Sequence, residues 1–79
     1  MKLMNLLNDY SDWTNTLEIR DSNNERIYRG SINEFVAKSV RRGNRWMRRM
    51  RNQQIMKFGG RDNELNILMP CAKAVYEAM

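Results

Sequence analysis

The chain has 79 residues, with 14 basic and nine acidic side chains for a formal net charge of +5, one cysteine and no histidine. A single cysteine excludes an intrachain disulfide, and the lack of histidine removes the common zinc patterns and the usual general base. A length of this order sets one small domain, 1–79, with a core that has little to spare; a homodimer is one way to gain more.

In chain order, MKLMNLLNDY places Leu3, Leu6, Leu7 and Tyr10 at i, i+3, i+4 and i+7, which predicts a short helix over 2–10. Its single lysine and its apolar run, broken by Asn5 and Asn8, do not make a signal peptide. Nothing later is apolar enough to span a membrane, and a lone thiol fits a reducing compartment, so a cytoplasmic location without membrane contact is expected. Ser11 and Asp12 break the helix, and 13–20 alternates, with Leu17 and Ile19 facing one way and Glu18 and Arg20 the other. Trp13 reads as core. Asp21-Ser22-Asn23-Asn24 is turn chemistry, and 26–30 supplies the returning strand of a hairpin.

The rest of the chain is organised around 31–54. Ser31 followed by Glu34 forms a capping box, and Ile32, Phe35, Val36, Val40, Met47 and Met50 lie on one helical stripe, with Gly43 filling the step after Val40. Lys38, Arg41, Arg42, Arg45, Arg48, Arg49 and Arg51 fall mostly on the other side. Gly43-Asn44 can end one helix and begin another. It can also lie within one bent helix, where a residue without a side chain packs close to a sheet; the position of Gly43 on the stripe favours the single helix. Trp46 has two readings: the edge of the apolar stripe, three residues after Gly43, or an exposed ring among arginines that stacks on bases.

After Gln54, 55–58 alternates briefly, Gly59 to Asn63 reads as a turn, and 64–69 reads as a buried strand. Pro70 stops that strand, and Ala72, Val75, Tyr76 and Met79 repeat the amphipathic spacing in a closing helix. The expected fold is α+β in the order α-β-β-α-β-β-α. An antiparallel sheet of about four strands is packed by a central basic amphipathic helix.

From Phe35 to Arg61 there are nine basic residues and no acidic one. Seven of them lie within 38–51, where no acid is available for i,i+4 pairing and the cations repel one another. A solvated face is the bland explanation, but that repulsion favours a binding face for phosphate or carboxylate surfaces. Catalysis is not expected. Cys71 near a helix start is read as a packed small residue, and Asp9 with Asp12 and Asp62 with Glu64 as turn acids that hold no metal. Gly59-Gly60 lacks the Gly-Lys-Ser/Thr of a phosphate loop. No cofactor is implied.

The leading MKLMNLLNDY, the strand and turn LEIRDSNN and the following IYRGSINEF resemble the small accessory proteins of phages and prophages from AT-rich Gram-positive bacteria. The asparagine-rich composition agrees with such a genome. The resemblance implies a compact, cofactor-free protein that binds host machinery, a class that includes anti-CRISPR and other anti-defence inhibitors. Many of those are acidic DNA mimics, and this chain is basic. The expected partner is therefore a host protein or ribonucleoprotein with an acidic surface, met by Lys38, Arg41, Arg42, Arg45, Trp46, Arg48, Arg49 and Arg51. The alternative is a small nucleic-acid-binding accessory protein that contacts phosphates without sequence preference.

Overall fold

The computed structural model describes residues 1–9, 15–41, 44–61 and 63–77. Expectations placed on Tyr10 to Thr14, Arg42, Gly43, Asp62 and 78–79 lie outside the described residues. The elements are α1 (Leu3–Asn8), β1 (Thr16–Arg20), β2 (Arg26–Ser31), α2 (Ile32–Ser39), α3 (Arg45–Met50), β3 (Lys57–Arg61), β4 (Glu64–Leu68) and α4 (Ala72–Glu77). The α+β class, the element order and the four-stranded sheet follow the sequence reading, with the central helix divided in two.

The sheet runs β2-β1-β4-β3. Both hairpins are antiparallel, but β1 and β4 pair in parallel at the centre, Thr16 opposite Glu64 and Ile19 opposite Ile67. The sheet is therefore mixed and not antiparallel throughout. A helical crossover, unlike a hairpin turn, delivers the next strand in the direction of the one before it. The connection from β2 to β3 through α2 and α3 is of that kind, so β3 follows the sense of β2 and β4 that of β1.

The single central helix is corrected to two. A straight helix over 31–54 would be about 36 Å long at 1.5 Å per residue, whereas the longest dimension of the molecule is 31 Å. The chain leaves the helix after Ser39, whose buried hydroxyl donates to Val36 O at 2.8 Å. Val40, assigned to the apolar stripe by spacing, caps α2 and is 62% exposed. Gly59 and Gly60 are also corrected: they belong to β3, which stays paired with β4 as far as Arg61 opposite Glu64.

One core joins all the elements except β3. Leu17 and Ile19 of β1 and Leu65 and Ile67 of β4 point to the helices, which return Leu3, Leu6 and Leu7, Ile32 and Phe35, Met47 and Met50, and Ala72. The capping box is half realised: Ser31 Oγ accepts from Glu34 N at 2.9 Å, while the Glu34 carboxylate turns to Lys38. The first residues lie along the segment after α3, with Leu3 N donating to Gln53 O at 3.0 Å and Met4 N to Arg51 O at 2.9 Å. No described helix is long and apolar enough to cross a membrane.

Candidate binding interface

The break between α2 and α3 turns the expected cationic strip into a corner. Lys38 sits in the last turn of α2, Arg41 just beyond it, Arg45 opens α3, and Arg48, Arg49 and Arg51 follow. Arg42 lies outside the described residues. The corner is held from within by an aromatic cluster. Trp46 meets Tyr28, Phe35 and Tyr76 with ring centroids 5.7, 6.4 and 5.0 Å apart, and Tyr28 meets Phe35 at 5.3 Å. These rings come from β2, α2, α3 and α4, so Trp46 fixes where α3 lies and thereby where Arg45 emerges. Burial pushes the Tyr28 hydroxyl above its ordinary range, with Glu34 adding to the effect.

The cations of the corner are not equivalent. The expectation that no acid serves this stretch at i,i+4 is corrected for Lys38, which donates to Glu34 Oε1 at 2.6 Å across one helical turn, a hydrogen bond that raises its pKa. Arg48 is half-buried and donates to Arg41 O at 2.9 Å, a carbonyl that also accepts Asn44 N at 3.3 Å where the chain turns after α2. The backbone oxygen of Arg51 receives Met4 N. Arg49 is exposed in the last turn of α3, where a cation complements the helix end. Among the described residues, Arg41 and Arg45 are exposed and have no acidic partner. Arg45 also occupies the positive end of its helix, and Asn44 provides no side-chain cap there.

Apart from Glu34, which holds Lys38, the glutamates are engaged away from the corner. Glu18, placed by the alternation on the face away from Leu17 and Ile19, is only 4% exposed. It lies on the sheet face opposite the helices and receives Arg20 Nε at 3.2 Å, Arg26 Nε at 3.3 Å and an Arg29 guanidinium nitrogen at 3.4 Å. Arg29 also reaches Glu64 at 2.9 Å, a contact that lowers the Glu64 pKa and raises that of Arg29. Asn66, with its amide nitrogen turned toward them, donates to Glu64 Oε1 at 3.1 Å and Glu18 Oε2 at 3.0 Å. Glu25 and Glu77 meet Lys73 at 3.0 and 3.9 Å, the first tying α4 to the β1–β2 turn. The signal for the sheet-face network was the hairpin itself, since register places Glu18 opposite Arg29.

Comparison of the chain with family models, with curated proteins and with solved structures finds no match. The reading of the interface therefore rests on its geometry. Among the described residues, no three histidine, cysteine, aspartate or glutamate side chains gather as metal ligands would. Cys71 is half-buried against the core, with Sγ 3.7 Å from Gln53 Oε1. What the corner offers is an exposed pair of guanidinium groups, Arg41 just past the end of α2 and Arg45 at the start of α3, beside an aromatic cluster. Such groups recognise carboxylate or phosphate oxygens in bidentate geometry.

Proposed function

We propose that the protein is a non-catalytic, cytoplasmic inhibitor of phage type. In this reading the α2–α3 corner docks on an acidic surface of host defence machinery, such as a nucleic-acid-guided effector, and occludes it. The observation that carries the reading is the division of charge. The glutamates are committed to Arg20, Arg26, Arg29, Lys38 and Lys73, while Arg41 and Arg45 project without an acidic neighbour among the described residues. Two like charges four residues apart in sequence, one of them at the positive end of a helix, are relieved by an anionic partner. The packed ring of Trp46 favours ionic contact over base stacking.

The test is affinity capture from host lysate with wild-type protein and an Arg41→Glu, Arg45→Glu variant, each with and without nuclease treatment. A protein partner should be retained after nuclease, lost in the variant, and released only gradually by salt. Full capture by the variant would remove the corner as the interface. Capture that nuclease abolishes, with a steep salt dependence, would move the assignment to direct phosphate binding.

A further inference from the structure

The corner leaves a second exposed feature unexplained, at the other end of the sheet. β3 is an edge strand. Natural edges are blunted by bulges, prolines, inward charges or covering elements. The β2 edge is protected in this way: the register slips between Ile19 and Arg20, Arg26 and Arg29 line the strand, and the chain runs directly into α2. By contrast, β3 pairs with β4 in unbroken register, contains no proline, and is exposed from Lys57 to Gly60.

The two faces of β3 differ in chemistry. Phe58 pairs with the buried Ile67 and so belongs to the helix side, yet it is 51% exposed; Met56, two residues earlier, is 60% exposed. Together they form an apolar ledge beside the strand. On the opposite side, Lys57 and Gly59 border a groove of about 480 Å³ lined also by Arg20, Asn24 and Leu68, with Glu18 within it. A Cβ on Gly59 would meet nothing within 4 Å, so the side of the groove there stays open. That sheet face carries Arg20, Arg26, Arg29 and Lys57 against Glu18 and Glu64 alone among its described charges, and Lys57 has no acidic partner among the described residues.

We propose that β3 is a docking edge for an extended segment of a partner protein in which apolar and acidic residues alternate. Strand addition supplies main-chain hydrogen bonds along this edge, which no described strand pairs, and alternate side chains of the added strand fall on opposite faces of the sheet. Those on the helix side extend the ledge of Met56 and Phe58. Those on the other side meet the excess positive charge around Lys57 and Arg20. A second copy of this chain does not have the required pattern, because positions 57 and 61 of its own β3 are basic. This edge is separate from the α2–α3 corner and does not depend on the function assigned there.

The probe is a fluorescently labelled Val-Glu-Val-Glu-Val-Glu peptide, titrated with the full chain and read by anisotropy. The alternating acidic peptide should bind saturably, with Kd below about 1 mM. Lys57→Glu should weaken that binding at least about tenfold and create binding to the corresponding Val-Lys peptide, a swap that an unfolded variant could not produce. Arg41→Glu, Arg45→Glu should leave it unchanged, which separates this edge from the corner. Four results would each overturn the proposal: no saturation in that range, equal binding of Val-Val-Val-Glu-Glu-Glu, indifference to Lys57→Glu, or loss of binding in the corner variant. A stable dimer in light scattering that the peptide does not dissociate would assign the edge to a second copy, and would overturn it as well.

Discussion

Arginine stands in two different settings in this protein, the outer sheet face and the α2–α3 corner. On the sheet, Arg20, Arg26 and Arg29 surround one nearly buried carboxylate, Glu18, and each of them has an acidic partner. At the corner, Arg41 follows the end of α2 and Arg45 opens α3, both without an acidic partner among the described residues. Composition cannot distinguish the two groups, because both are arginines spaced a few residues apart. Strand pairing can, since β1 and β2 bring Glu18 against Arg29 whereas no described strand brings a carboxylate to Arg41 or Arg45. A dense basic stretch therefore becomes a candidate interface only after the cations with internal partners have been set aside.

Mutations can break that comparison, and Glu18 is the place where the largest effect is expected. Glu18→Ala leaves three guanidinium groups without their shared acceptor and should cost about 2–3 kcal/mol, since the arginines remain partly solvated. Arg41→Glu, Arg45→Glu should move stability by less than about 0.5 kcal/mol in either direction. Urea denaturation of the two variants side by side reads the difference directly. Equal losses would mean that the corner arginines are structural after all.

Arg48 is intermediate and sharpens the comparison. It belongs to the basic stretch, but its guanidinium is engaged by Arg41 O. Arg48→Ala should therefore destabilise by about 0.5–1 kcal/mol, the net value of one exposed hydrogen bond. Capture of a partner should weaken less than in the Arg41 and Arg45 variant. A thermal melt unchanged within error would place Arg48 with the purely exposed cations.

The smallest expected effect is an acid dependence confined to the sheet face. Glu64 has its pKa lowered by the Arg29 hydrogen bond. Its stabilising contribution is present above the unfolded carboxylate pKa and is lost as pH falls through the folded value. Urea midpoints should therefore decline below about pH 4.5, and Glu64→Gln should flatten part of that decline. No such change is expected from Arg41→Glu, Arg45→Glu at neutral pH and above. An unaltered acid profile in Glu64→Gln would assign the decline to other carboxylates.

Much of the local structure was legible in the residues. The alternation of Leu17 and Ile19, the Ser31–Glu34 cap, and the turn chemistry from Asp21 to Asn24 each act within a few positions. Asp21 Oδ1 accepts from the N–H groups of Asn23 and Glu25 at 2.9 Å, and Asn24 takes the left-handed φ of 63° that asparagine tolerates. What was not legible depends on global dimensions or on register. The stripe through Val40 and Gly43 is consistent with one helix until its length is set against a molecule 31 Å across. Gly59 and Gly60 satisfy a turn by composition, yet pairing with β4 draws them into a strand. Glu18 lies on the face that its alternation predicts, but its burial follows from arginines brought in by β2.

The parallel pairing of β1 with β4 has a consequence for how the chain acquires its structure. Thr16 and Glu64, partners in that ladder, are 48 positions apart, and β1 is flanked on that side by nothing else. The first hairpin can close early because its contacts are local, but it exposes Leu17 and Ile19 until β4 arrives. Closing a loop of that length before its contacts reward it makes central pairing the slow step, in the manner of high-contact-order domains. On the ribosome, a half-made chain would present an open hydrophobic strand edge, the kind of surface that nascent-chain chaperones shield.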